Sequence, residues 1–181
     1  MKKLLLFGIV LMLIAPQVSA QLPASPYLAL YEDEVRTDWC VSGIGFVNMY
    51  LFMLPNTDGG ICVELSINVT GTGSGGLMWG APTWHPDVVD PKLGGVPGEM
   101  GACFGTCKTD WAYFYSVGIL VQTLDPARAE IGAYGTSDYP IVLTCLGDEP
   151  EAIVFNHFYF NDCGPNAVEE SSWGVIKSLY E

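Results

Sequence analysis

The sequence predicts an all-β fold, an antiparallel β-sandwich of the immunoglobulin type followed by a short C-terminal helix, and three observations lead there. Residues 60–70 place Ile61, Val63, Leu65, Ile67 and Val69 on one side and Cys62, Glu64, Ser66 and Asn68 on the other, the period-two alternation of a half-buried strand. Several further runs of strand length are divided by turns rich in Gly, Pro, Asn and Asp, with no convincing helix between them, as in a sandwich or barrel. All six cysteines follow a segment that reads as an export signal, so disulfide staples are expected.

That signal comes first in the chain. Met1, Lys2 and Lys3 precede an apolar run over residues 4–15, and Val18, Ser19 and Ala20 precede Gln21. A basic start, an apolar middle too short for a bilayer and small residues before a cut make a secretory signal peptide over residues 1–20. The remainder is expected to carry no membrane span, and with Gln rather than Cys at position 21 no lipid anchor. Cleavage removes Lys2 and Lys3 and no acid, which takes the formal charge from −13 to −15. Such a field repels nucleic acid and anionic lipid and favours solubility, cations or basic partners. The roughly 160 residues that remain suit one domain with a real core. Residues 21–168 are read as the stapled sandwich and residues 169–181 as a helical tail.

Within the sandwich, Tyr27, Leu28, Ala29, Leu30 and Tyr31 form an apolar run that gives way to Glu32, Asp33 and Glu34, an expected edge strand guarded by repelling charge. Residues 46–54 are apolar on both faces apart from Asn48 and read as a central strand. Residues 55–60, Pro-Asn-Thr-Asp-Gly-Gly, have the composition of a hairpin loop, so residues 60–70 are expected to pair with 46–54. In that hairpin Cys62 lies beside the loop and Cys40 beyond the far end, about eight residues away at ~3.3 Å each. A Cys40–Cys62 bridge is therefore not expected, and Cys62 should reach the second half of the chain, Cys103 or Cys107 for instance. Residues 71–106 read as largely irregular, either an elaborated binding loop or short strands near residues 77–79 and 88–89. Trp111, Tyr113, Tyr115, Val117, Ile119 and Val121 share one face of the next strand, with a bulge or bend expected at Gly118. Residues 129–134, 141–145 and 153–160 are three more strands, the last two separated by the acidic turn 147–151.

The tail breaks the pattern. Ser172 can cap a short helix with acids ahead of it and Lys177 near its end, leaving Trp173, Ile176 and Tyr180 as one apolar stripe. A helix so short needs something to dock on. The ending Ser-Trp-Gly-Val-Ile-Lys-Ser-Leu-Tyr over residues 172–180 resembles the terminal motif of small exported bacterial proteins, together with the signal peptide, the run at residues 28–31, the Cys103/Cys107 pair and Asp125-Pro126. The resemblance implies a secreted all-β module. It carries no assigned activity, so no site residue is transferred.

The chemical motifs are weak. Residues 71–76, Gly-Thr-Gly-Ser-Gly-Gly, match G-x-G-x-x-G after a strand, but Gly80 and Pro82 interrupt the helix that a dinucleotide site requires. Cys103-x-x-x-Cys107 has no histidine near it, and bridging of Cys40, Cys62, Cys103, Cys107, Cys145 and Cys163 is favoured over metal. His85 and His157 read as packed or partly exposed residues. Neither G-x-S-x-G nor H-E-x-x-H occurs, and nothing matches an EF-hand loop. The pairs Glu32/Glu34 and Glu149/Glu151 leave a carboxylate-dependent glycoside hydrolase as a minor reading. Of Trp39, Trp79, Trp84 and Trp111, the two in the irregular segment, Trp79 and Trp84, are the candidate platform for a sugar or a protein. The expectation is a non-catalytic secreted module, extracellular, periplasmic or on the cell surface, that binds a protein or glycan partner or builds a surface structure, without cofactor or metal. Carbohydrate binding is the alternative.

Overall fold

The computed structural model describes residues 22–93 and 97–163. The signal peptide expected over residues 1–20 and the helix expected in residues 169–181 lie outside the described residues. In chain order the strands are β1 (Tyr27–Tyr31), β2 (Cys40–Val41), β3 (Gly45–Leu54), β4 (Gly60–Thr70), β5 (Leu77–Trp84), β6 (Lys92–Leu93), β7 (Gly98–Lys108), β8 (Ala112–Val121), β9 (Ala127–Gly132), β10 (Ile141–Leu143), β11 (Ile153–Val154) and β12 (Phe158–Phe160). A single 3-10 turn, Ser74–Gly76, and no α-helix occur among the described residues.

The strands form the two sheets of a sandwich. Sheet A has the order β11-β1-β3-β8-β5, and sheet B has the order β2-β12-β9-β4-β7-β6, with β10 also on β4. Pairing is antiparallel throughout except for β1 with β11 and β2 with β12. The alternation of β4 is realised: Val63, Leu65 and Ile67 are buried, whereas Glu64 and Asn68 are exposed. They meet Leu28, Leu30, Met49, Leu51 and Met53 of sheet A in one cluster. Each such side chain, fully buried, stabilises the fold by ~1.5–3 kcal/mol.

Several expectations need correction. β3 and β4 are not a hairpin, because β3 pairs with β1 and β8 in sheet A while β4 pairs with β7, β9 and β10 in sheet B. The turn between them, closed by a Gly59 N–H bond to the Asn56 carbonyl at 3.1 Å, carries the chain across the sandwich. A Gly-rich turn reverses direction equally well between sheets as within one. β1 is not an edge strand, since β11 covers its outer side and all five of its residues are buried. Of the two readings of residues 71–106, the loop gives way to the strands: β5 begins at the expected residues 77–79, and β6 and most of β7 follow. The short strand expected at residues 88–89 is a single bridge from Val88 to Phe104. The strand expected over residues 153–160 divides into β11 in sheet A and β12 in sheet B.

β8 meets irregular pairing at two places, the expected one at Gly118 on its β5 side and an unexpected one on its β3 side. Leu51 faces Tyr115 and Phe52 faces Tyr113, so Phe114 is the extra residue of a bulge in β8. A second shift, in β5 between Trp79 and Pro82, lies opposite Gly118. The β8 bulge inverts the strand's phase. Tyr115, Val117, Ile119 and Val121 face the core as expected, but Trp111 and Tyr113 turn to the outer face of sheet A.

All six cysteines are paired, as Cys40–Cys163, Cys62–Cys103 and Cys107–Cys145. Cys62 and Cys103 face each other directly across the β4–β7 ladder. Gly59 lies on the third bridge: its φ is +74°, and a Cβ there would come within 2.6 Å of Cys107 Sγ and 2.8 Å of Cys145 Sγ. Only glycine fits that crossing between sheets.

Candidate functional site

The most built surface among the described residues is the outer face of sheet A. β3 sends Tyr50 and Phe52 outward, β1 adds Tyr31, and the bulge in β8 brings Trp111 and Tyr113 beside them. The rings meet edge to face: Tyr31 on Phe52 at 5.8 Å, Tyr50 on Tyr113 at 5.5 Å, and Phe52 on Trp111 at 6.3 Å. Trp39 closes one side against Tyr31 at 6.5 Å. Such contacts contribute ~0.5–1.5 kcal/mol per pair beyond the area they bury. The layer is a second, smaller apolar cluster, separate from the core between the sheets.

The loop after β1 folds back over this layer. Glu32 N–H donates to the Asp38 carbonyl at 2.7 Å, and Thr37 gives its N–H and hydroxyl to the Asp33 carboxylate. Burial alone would raise the Asp33 carboxyl, but these bonds outweigh it and hold the pKa below the usual value. The tight loop puts Arg36 in a left-handed conformation, φ +62°, and lays its guanidinium 5.5 Å from the Phe52 ring and 5.2 Å from the Trp111 ring. This is a cation–π lid.

Beside the lid opens a hollow of about 510 Å³, lined by Glu34, Arg36, Asp110, Trp111 and Tyr113 and by a far wall of His85, Asp87 and Lys108. Lys108 Nζ is 2.6 Å from Asp87 Oδ2 and 4.8 Å from the centre of the Phe104 ring. The His85 ring stands edge-on to Tyr113 at 4.7 Å, and its Nδ1 accepts the Asp87 N–H at 3.1 Å. The bond and charge of Lys108 hold the Asp87 carboxyl below its usual pKa. Tyr50 and Tyr113 are raised, first by burial and then by the Glu34 carboxylate. The hollow thus has an aromatic floor and a rim of three acids and two bases.

Burial raises Tyr31 to about 12, partly offset by Arg36, and also raises Tyr27 and Tyr115. The folded chain keeps these protons where the unfolded chain releases them near pH 10. Their contribution is complete below pH 10.0 and is lost as the pH climbs towards about 12. Thermal melts should hold level to about pH 9 and fall steeply above it, and Tyr31→Phe should flatten that fall. A melting temperature insensitive to pH through this window would contradict the assignment.

The sequence-predicted platform lies elsewhere. Trp79 and Trp84 are in β5, at the edge of sheet A. Both are half-buried, with Trp79 against Phe160 at 6.5 Å and Trp84 against Tyr115 at 5.5 Å. Arg36, Tyr50, Phe52 and Tyr113 were not singled out by sequence. The one available signal was that residues 46–54 are apolar on both faces, which requires a cover on the second face as well. Glu149 lines a smaller hollow of about 150 Å³ beside Cys62–Cys103, with Glu64, Asp90 and Lys92. Among the described residues no cluster of three or more His, Cys, Asp or Glu could hold a metal ion, and no helix is long and apolar enough to cross a membrane.

No protein-family model and no curated protein matches the chain. Its fold is similar to that of cohesin modules of known structure. One is the sixth cohesin of scaffoldin B from Acetivibrio cellulolyticus, solved in complex with a dockerin, at TM-score 0.53 and 10% identity over 76% of this chain and 98% of that one. A cohesin module from a family 33 glycoside hydrolase of Clostridium perfringens gives 0.55 and 9% over 77% and 98%. A non-cellulosomal cohesin from the archaeon Archaeoglobus fulgidus gives 0.50 and 11% over 76% and 90%. At these identities the likeness is one of fold.

Proposed function

We propose that the chain is a non-catalytic extracellular binding module that receives a basic segment of a partner protein in the hollow on sheet A. One observation carries the reading: a layer of aromatic rings on the outside of a sheet, open on one side and rimmed by Glu34, Asp87 and Asp110 with Arg36 and Lys108 between them. Half-exposed Trp and Tyr rings are the residues in which protein interfaces concentrate binding energy. With Asp87 taken up by Lys108, Glu34 and Asp110 outnumber Arg36 on the rim, and this excess together with the chain's net charge of −13 favours Lys or Arg on the partner. The fold it shares with a cohesin solved in complex with a dockerin supports a protein as partner, and three disulfides fit an oxidising compartment.

A hydrolase reading fits these groups less well. The carboxyl raised by burial and by Asp38 and Asp33 is Glu32, which does not line the hollow. Of the acids that do, Asp87 is ion-paired and held low, the wrong direction for a general acid.

The test is selection from a display library of random peptides on the immobilised chain, followed by titration calorimetry. Enriched peptides should carry Lys or Arg next to an apolar residue, and Trp111→Ala should weaken them by about 30-fold, the ~2 kcal/mol of a hot spot. Peptides that bind Trp111→Ala unchanged, or no enrichment over an unrelated sandwich domain, would refute the proposal. A glycan array run in parallel addresses the carbohydrate alternative. A signal that disappears in Trp79→Ala/Trp84→Ala, with the fold retained, would replace the protein reading by that one.

A further inference from the structure

Sheet A carries a second apolar patch at the opposite end of its outer face. Phe46 of β3 faces Leu120 of β8, which faces Met78 of β5, so the three side chains form one row across adjacent strands. Phe46 is 84% exposed and Met78 57%, and Ile44 and Leu124, close to the row in sequence, are 63% and 66% exposed. The core residues of the same strands are almost fully buried, so this is an uncovered face and not a frayed end. Asn48, Gly118 and Ser116 separate it from the aromatic layer.

The chain beyond Cys163 is rooted at this patch. Cys163 is bridged to Cys40 with the Cα atoms 5.6 Å apart, and Ser42 Oγ lies 3.2 Å from Cys163 Sγ. Asn161 accepts the Gly43 N–H at 2.5 Å and donates to the Thr123 carbonyl at 2.8 Å. One side chain thus clamps the root between the segment leading into β3 and the segment leaving β8. Those two strands present Phe46 and Leu120.

We infer that residues 172–181 dock on their own chain, with Trp173, Ile176 and Tyr180 over the Phe46–Leu120–Met78 row. Length permits it: Cys163 to Trp173 spans up to about 33–36 Å extended, and Cys40 to Phe46 no more than about 22 Å. The stripe is apolar in sequence and the row is apolar and exposed. A short tether gives an effective concentration in the mM range, so modest apolar contact suffices within one chain where a second copy would have to supply that concentration in solution. The row and the aromatic hollow are separate surfaces, so the inference does not rest on the partner reading.

The test uses the disulfide-bonded chain after signal removal. Trypsin cleavage after Lys177 reports the undocked tail when docking is fast relative to cutting. Phe46→Ser and Met78→Ser, both at exposed positions, should keep the far-ultraviolet circular dichroism and raise the Lys177 cleavage rate about tenfold or more, as the open population grows. In a second arm, benzoylphenylalanine at position 46 should photocross-link to peptides from residues 172–181 of the same molecule. Equal cleavage rates in parent and variants would overturn the inference. So would cross-links that join two molecules, or cross-links that never reach the tail.

Discussion

Replacing Cys40 and Cys163 together by serine should lower stability by about 4–5 kcal/mol, the largest loss among the three bridges. The bridge spans 123 residues, against 41 for Cys62–Cys103 and 38 for Cys107–Cys145. A cross-link restricts the unfolded chain more as the loop it closes lengthens, so each shorter bridge should cost about 1 kcal/mol less. The long bridge also joins the start of β2 to Cys163, three residues past β12, and these two short strands hold each other by a two-residue parallel ladder. Guanidinium unfolding of the three double-serine variants ranks them. An order in which Cys40–Cys163 matters least would mean that the sheet B edge is held chiefly by its ladder and not by the bridge.

Phe114→Ala should cost about 3–5 kcal/mol, the range for emptying a buried aromatic site. Phe114 is fully buried and stacks on Phe104 with centroids 4.3 Å apart and planes at 26°. Phe104 lies in β7 and Phe114 in β8, so the stack ties sheet B to sheet A. Phe114→Leu, which keeps most of the volume, should cost clearly less. For a domain with ~5–15 kcal/mol in total, the alanine variant loses roughly a fifth or more of its stability, and urea unfolding measures it directly. A loss below ~1 kcal/mol would mean that the neighbours collapse into the space.

Much of the sandwich could be read from local pattern. The alternation of residues 60–70 is an intrinsic property of one strand and survives as the buried Val63, Leu65 and Ile67. A bridge from Cys62 to the second half of the chain is legible in the same alternation, and Cys103 supplies it. The absence of Cys40–Cys62 was also expected, though for the wrong geometric reason, since β3 and β4 lie in different sheets. What local pattern does not encode is which sheet a strand joins after a turn. It also does not encode a one-residue phase change. The bulge at Phe114 follows from how β8 fits against β3, a tertiary condition. That one residue decides whether Trp111 and Tyr113 are core or surface, and so whether the candidate site exists. Trp79 and Trp84 drew notice because their segment seemed to lack structure, whereas β5 gives both rings inward neighbours.

The crossing of the chain between sheets at Gly59 has a kinetic consequence. Because β3 and β4 part there, most ladders join distant segments: Tyr27 pairs with Ile153, Gly45 with Val121, and Thr70 with Arg128. Topologies built on such pairings have high contact order, and sandwiches of this kind fold in about milliseconds to seconds, because loop closure precedes any reward from contact. Neither β1 nor β4 can complete its hydrogen bonding until the second half of the chain is present. Folding is therefore a whole-chain event, and a fragment ending before β8 would have strands without partners and a tendency to aggregate.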